Sequence, residues 1–375
     1  MNKKHITFLD FDDLKNPLLG AGQARATYEV GSRLAAMGHK VTVYCSRYPG
    51  YKDRTEKGIT YKHIAVGSKY VRLNNALYIL SIPFYTRQIK ADVIIESFTA
   101  PVSTLMTPLF TAIPVIGLPS MFNAREFTKK YGIPFHLWEQ FGSRFYNYFL
   151  PYSDIDSAKM KKLNPSITYQ ITPQGVDESF FKIKHKTPKH ILFLSRFEIH
   201  QKGIDLLLKS YAKVADKIGY PLVLAGHGND TDKIKALIAE LGLKDRVSFA
   251  GSAYGKKKEQ LISEAVYIAF PSRHDEISLW ALEALASGMP LVGFDLPECK
   301  WISDNASLKA KPFDVDAYAK LLVKATDQKL NTKMRKEARL LAKQYSWDKV
   351  AGMFDSFIEK VLETEKSKEM LLATA

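Results

Sequence analysis

Short apolar runs alternate with amphipathic stretches along the whole chain. His5 to Asp10 reads as a buried strand, and a polar turn then ends in Gly20, Ala21 and Gly22. Helical spacing follows from about Gln23, with Tyr28, Gly31, Leu34 and Ala35 on one face, until Gly38 closes the helix and Val41 to Cys45 forms the next strand. Further strands are expected at Ile59 to Val66, Val93 to Glu96, Val115 to Leu118 and Thr168 to Thr172. A lysine-rich stretch, Lys182 to Lys189, reads as a linker. The alternation then resumes: strand His190 to Leu194, helix from Gly203, strand Leu222 to Leu224, helix from Thr231, strand Val247 to Phe249. This order predicts α/β architecture with doubly wound domains, in which the first helix N-terminus is a ready anion site.

The densest chemistry lies in Pro271 to Val292. The apolar run Val266 to Phe270 stops at Pro271 and Ser272, a helix runs to Ser287, and Gly288 and Pro290 end it. The turn carries Asp275 and Glu276, and Glu283 follows about two helical turns later. Carboxylates so placed can grip the hydroxyls of a sugar or ribose, although the same pattern also describes a solvated surface helix. Arg196 and Lys202 flank the turn after the strand ending at Leu194. Arg offers a planar fork for two phosphate oxygens and Lys a compact charge, a pair suited to a leaving group that gains negative charge. Gly20 and Gly22 do not complete a dinucleotide fingerprint, because Arg25 stands where the third glycine belongs.

Composition narrows the classes. At 375 residues the chain is long enough for about two domains. Its two cysteines, Cys45 and Cys299, have no histidines at metal-ligand spacing, which points to free thiols in a reducing compartment. No stretch reads as a signal peptide or membrane span. The net charge of +15 invites nucleic acid, an anionic membrane surface or a phosphorylated substrate, but no zinc-finger spacing or RNA-binding signature accompanies it. Lys69 to Lys90 and Met121 to Tyr152 interleave aromatic and aliphatic residues with Arg and Lys, a mixture that suits either a lipid headgroup boundary or the packing of the first domain.

Several of these stretches resemble family 4 glycosyltransferases (glycosyl transferases group 1), of GT-B fold. Pro271, Ser272, Ala284, Ala286, Gly288 and Pro290 match the family signature, with Asp275 and Glu283 at the positions of its two glutamates. Asp275 is one methylene shorter than Glu, and Glu276 and Ser278 replace two glycines. The turn from Ser195 to Gly203 resembles G-R-x-x-x-x-K-G, Ala225 to Gly228 the G-x-G turn, Phe249 to Gly251 F-x-G, and Met37 to Val43 R-G-H-x-V-T-V. Thr172 to Phe181 resembles P-N-G-V-D-x-x-x-F with Gln174 for Asn, and Tyr345 to Val350 resembles F-S-W-x-x-V. Pro119, Ser120 and Met121 occupy the region where the family often carries a histidine, so no catalytic histidine is assigned.

The resemblance implies two Rossmann-like domains facing across a cleft: residues 1–180 on the acceptor side, 181–345 on the donor side, and a last helix, 346–375, returning toward the first domain. It implies a retaining, metal-independent transfer from a nucleotide-diphosphate sugar, with no cofactor. Arg196, Lys202 and Asp275 take the catalytic positions. Gly20, Gly22, Gly251, Glu276, Ile277, Ser278, Leu279 and Glu283 take the donor-binding ones. The chain is expected to lack a D-x-D triplet next to a strand end, in keeping with transfer that needs no metal. The acceptor is expected to be a lipid-linked or envelope glycan, with the enzyme cytoplasmic and peripheral on an anionic membrane. His39 is expected as a surface cap, His227 as a turn residue, and Trp347 in the core. A nucleotide-sugar epimerase or phosphorylase of the same fold, and a basic nucleic-acid-binding protein, remain the alternatives.

Overall fold

The computed structural model describes residues 3–19, 22–98, 105–119, 124–275 and 278–374. The chain divides into two compact units, Met1–Gln174 with Trp347–Ala375, and Gly175–Ser346. The boundary falls before Gly175, so Lys182 to Lys189 is part of the second unit rather than a linker. Ile183 is buried in that unit's core, and Lys189 pairs with Glu264 at 3.0 Å.

The first unit is built on an eight-stranded sheet. Its strands are β1 (His5–Leu9), β2 (Lys40–Ser46), β3 (Arg54–Glu56), β4 (Ile59–Ile64), β5 (Val93–Phe98), β6 (Val115–Pro119), β7 (Tyr148–Phe149) and β8 (Thr168–Tyr169), in the order β3-β4-β2-β1-β5-β6-β7-β8. All neighbours run parallel except β3 and β4. The helix Gly22–Ala36 approaches one face closely where Gly31 leaves room: a Cβ there would sit 3.1 Å from Ile59 Cδ1. The helix Val71–Thr86 covers the other face with Asn74, Tyr78, Ile82 and Thr86, a four-residue spacing that makes one buried stripe. The helix Trp347–Thr374 belongs to the same unit and buries Trp347, Val350, Ala351, Phe354, Phe357, Ile358 and Val361, the periodicity of one helical face. Among the described residues, no helix is long and apolar enough to cross a membrane.

His39 is not a surface cap. It is buried, with Nε2 2.9 Å from Asp355 and Nδ1 accepting from the Lys4 amide.

Two carboxyls, Asp10 just after β1 and Glu96 within β5, are fully buried. Asp10 accepts from Thr27 Oγ1 at 2.5 Å, and Glu96 accepts from Tyr146 Oη and the Leu105 amide, each at 2.7 Å. Burial outweighs these hydrogen bonds and pushes each up to about 7, so the folded unit favours the protonated acids. The folded state therefore binds more protons than the unfolded chain between about pH 4 and pH 7, and stability from these groups falls as pH rises through that window. Denaturant titrations of Asp10→Asn and wild type across pH 4.5–7.5 should diverge, the wild type losing on the order of a few kcal/mol relative to the variant. A difference independent of pH would contradict the assignment.

The second unit carries a six-stranded, all-parallel sheet. Its strands are β9 (His190–Leu194), β10 (Leu222–Ala225), β11 (Val247–Gly251), β12 (Ala265–Phe270), β13 (Leu291–Phe294) and β14 (Ser307–Ala310), in the order β11-β10-β9-β12-β13-β14. The winding reverses between β9 and β12, and a doubly wound sheet binds ligands at the carboxyl ends of the strands beside that reversal. Asp314 caps the helix Val315–Lys324 by accepting from the Ala317 amide at 2.9 Å.

Candidate functional site

The loops after β9 and β12 meet at this reversal. After Leu194, the chain is pinned by the Ser195 amide donating to Ala225 O, Phe197 to His227 O, and Ile199 to Asp230 Oδ2. One helical turn, Ile199–Lys202, then ends at Gly203, whose φ is 63°. A Cβ on Gly203 would lie 2.0 Å from the carbonyl oxygen of Pro271, so only glycine lets the two loops touch. Gly226, at φ 148°, makes the same approach to Ser195 O, where a Cβ would come within 1.9 Å. Gly203→Ala should lower the second unit's stability by at least about 3 kcal/mol, from left-handed strain plus a backbone collision, as measured by denaturant midpoint. A neutral substitution would mean that the loops are not held together as described.

The contact brings Lys202 and Asp275 together. Lys202 Nζ lies 2.7 Å from Asp275 Oδ2, both side chains are buried, and Ser272 Oγ donates to the same oxygen at 3.3 Å. Arg196, by contrast, is exposed: Nη2 donates to Gln201 Oε1 at 3.2 Å and lies 3.8 Å from Glu198. One cation is therefore buried and paired, and the other is exposed.

Arg273, unforeseen in the sequence, forks onto Asp205 at 2.8 and 2.7 Å, while its Nη1 also donates to Ile199 O and its amide to Gln201 O. The guanidinium hydrogen bonds overcome the effect of burial and hold the Asp205 carboxyl below its usual range, so this tie between the loops stays ionised. Cys299 Sγ donates to the Asp275 carbonyl at 3.6 Å, and burial with the neighbouring Asp275 charge pushes the thiol up to about 12. It is an inert structural thiol.

The helix Leu279–Ala286 starts from Ser278, whose side chain makes no capping bond, so the first-turn amides face out of the helix end. Glu283, on this helix, is paired with Lys258, which also lies 5.4 Å from the Phe180 ring centroid. Lys258 was not visible as a partner because it stands on another helix, Gly255–Ser263. Gly251 O accepts from the Gly226 amide at 2.9 Å, tying the turns after β10 and β11, and His227 Nδ1 pairs with Ser252 Oγ at 2.8 Å. Arg196, Lys202, Asp275, Ser278, Leu279, Glu283 and Gly251 thus all belong to the second unit, and Gly22 opens the first helix of the first unit. Gly20, Glu276 and Ile277 lie outside the described residues.

The stretch 176–344 matches the family model Glycosyl transferases group 1. The second unit belongs to that family. Among curated relatives, the MMP alpha-(1→4)-mannosyltransferase of Mycolicibacterium hassiacum is 26% identical over 51% of this chain and 48% of its own. O-antigen chain mannosyltransferase B of Escherichia coli is 27% identical over 40% of each chain. The chain spans about a quarter to about half of the length of the curated relatives it matches. The solved structure of HepE from Anabaena in complex with UDP aligns over 95% of this chain and 100% of its own, with a TM-score of 0.74 at 13% identity. That likeness is one of fold: α/β with two parallel sheets, as in GT-B structures.

Two acidic groups of the first unit correct the reading of metal sites. Asp10, Phe11 and Asp12 form a D-x-D triplet immediately after β1, contrary to the expectation that none stands next to a strand end. Both acids are engaged: Asp10 with Thr27 and the Asp12 amide, Asp12 with the Asp13 amide. Cys45 and His63, eighteen positions apart, are register partners across β2 and β4, and with Asp13 they bring ligand atoms within 4.8 Å of one another. Arg54 takes both Asp13 oxygens at 2.6 Å, and His63 Nε2 lies 2.9 Å from one of them. Burial opposes ionisation of Asp13, but these partners hold it well below the carboxylate range, so the carboxylate is already neutralised by a guanidinium.

Proposed function

We propose that the chain moves a sugar from a nucleotide-diphosphate sugar to a hydroxyl acceptor, with retention of configuration and without a metal ion. The observation that carries this reading is the buried Lys202–Asp275 pair at the sheet reversal, with Arg196 on the same loop as Lys202. Lys202 and Arg196 take the donor diphosphate, Asp275 and Glu276 the sugar hydroxyls, and Glu283 the ribose. The amides of Ile277 to Leu279 add further donors. In the reaction, the bond from the anomeric carbon to the diphosphate oxygen breaks while the acceptor oxygen bonds the same face of that carbon. The acceptor proton passes to the departing diphosphate, whose growing charge the two cations stabilise. Lys202 is prepaid with a counterion in Asp275, so a diphosphate arriving beside it meets an oriented ammonium rather than a mobile one.

The acceptor we infer is a lipid-linked or envelope glycan, and the support is a surface of the first unit. On the helix Val71–Thr86, which has no acidic residue, Leu73, Leu80 and Phe84 are exposed, the last two by 74% and 64%. Leu137, Trp138 and Phe141 are exposed on the helix Phe135–Gly142, and Arg72 lies 5.9 Å from the ring of Tyr131. Exposed apolar side chains with a cation such as Arg72 beside them suit an anionic leaflet, where each cation is worth on the order of 1 kcal/mol. Flotation with phosphatidylglycerol vesicles at low salt should recover the wild type, and Leu80→Glu/Phe84→Glu should stay unbound. Equal flotation of both proteins would remove the membrane from the proposal. A donor panel with product mass, run with and without chelator, tests the reaction itself: a mass gain of one sugar, undiminished by chelator, is expected, and turnover that requires a restored divalent ion would overturn metal independence.

A further inference from the structure

A sheet face covered by a helix is ordinarily apolar, yet the face of the first unit's sheet beneath Val71–Thr86 is apolar along only part of its length. Leu9, Ile64 and Ile94 cluster with Tyr78 and Ile82, Ile94 being the register partner of Thr7 on the β5 side. On β1, β2 and β4, toward the strand starts, the same face turns polar. Thr7 on β1, Thr42 on β2 and Thr60 on β4 are register partners in one row, and His5 pairs with Lys40 just before them. The covering helix ends at Thr86, and the chain returns through Gln88 and Lys90 to β5. Between these segments lies a cavity of 440 Å³, lined by the three threonines, His5, Lys40, Lys62, Gln88 and Lys90 among others.

Two features distinguish this cavity from a gap in packing. Thr7 is fully buried, and its hydroxyl has no hydrogen-bond partner, whereas the Thr42 hydroxyl is joined to His5 Nε2 at 3.0 Å. A buried hydroxyl without a partner costs about 1–3 kcal/mol, a cost that a ligand would relieve. The charge is also one-sided: three ammonium groups line the cavity and no carboxylate does. Asp92, the nearby acid, accepts from the His5 amide at 2.6 Å and lies outside the lining.

We propose that this cavity binds a phosphate-bearing anion, with Thr7 donating a hydroxyl and Lys40, Lys62 and Lys90 neutralising its charge. The volume falls within the range of small-molecule sites, so the phosphate carries an organic group, as a soluble phosphomonoester does or as a lipid headgroup does. The site is independent of Arg196, Lys202 and Asp275, and it stands or falls separately from the sugar-transfer reading.

The test follows backbone amide shifts of Thr7, Thr42 and Thr60 in the full chain, titrated separately with inorganic phosphate, glycerol 3-phosphate and phosphatidylglycerol vesicles, with phosphatidylcholine vesicles as the neutral control. Saturable shifts at these three amides are expected, weakened at least tenfold by Lys40→Gln/Lys62→Gln and by the isosteric Thr7→Val. A response to the soluble anions assigns a free phosphoester, and a response to phosphatidylglycerol alone assigns a headgroup. Donor turnover should be unchanged in the variants, because none of these residues belongs to the donor loops. The proposal is overturned if the three amides respond to none of the probes, or if the response is the same in the variants as in the wild type.

Discussion

Arg196→Ala is expected to lower turnover by about 100- to 1,000-fold while leaving the unfolding transition where it is. The side chain is two-thirds exposed and makes one hydrogen bond, to Gln201, and one longer ion pair, to Glu198, contacts that contribute little to stability. Any large loss therefore reads the chemistry. Because the charge Arg196 meets develops on the leaving diphosphate, the loss should fall on kcat more than on KM. Arg196→Lys should recover part of it, since an ammonium restores the charge without the bidentate fork. Full activity in Arg196→Ala, with donor use intact, would take this residue out of the mechanism.

Lys202 behaves differently because its partner is buried. Lys202→Met should reduce turnover by a similar factor, but it also strands the Asp275 carboxylate beneath the loop, and breaking a buried pair from one side costs about 3–5 kcal/mol. Asp275→Asn should likewise impair donor use. The double variant Lys202→Met/Asp275→Asn separates the two roles: stability should return toward the wild type while turnover stays low, giving a coupling energy of about 1–3 kcal/mol in a double-mutant cycle. Additive stability losses would show that the two side chains do not form the pair described.

The elements that organise the second unit were legible because they are apolar runs bounded by glycine and proline. Val266–Phe270 and Leu291–Phe294 enclose a helix whose stop is legible from Gly288 and Pro290, whereas its start, expected just after Pro271 and Ser272, lies at Leu279. β14 was not read, since Ser307-Leu-Lys-Ala has neither an apolar run nor clear alternation and becomes a strand only by pairing with β13. β3 and β7, of three and two residues, fall below what any periodicity can show. The site was legible as residue types but not as partnerships. That Lys202 meets Asp275 depends on Gly203 passing the Pro271 carbonyl, and that Glu283 meets Lys258, or Asp205 meets Arg273, depends on helix placement. The aromatic stretch Met121 to Tyr152 divides, among its described residues: Tyr146, Tyr148 and Phe149 are buried, while Leu137, Trp138 and Phe141 are exposed. Composition could not separate them because both groups share the same residue types, and only the strand at Tyr148–Phe149 turns one group inward.

Calorimetric titration of the full chain with UDP and GDP, in chelator, tests the central claim most directly. The result expected is saturable binding of at least one of them, weakened at least tenfold by Arg196→Ala and by Lys202→Met and unaffected by Lys40→Gln. Absence of binding by both nucleotides, or binding that survives both donor-loop substitutions unchanged, would contradict the assignment of the loops after β9 and β12 as a nucleotide-diphosphate site.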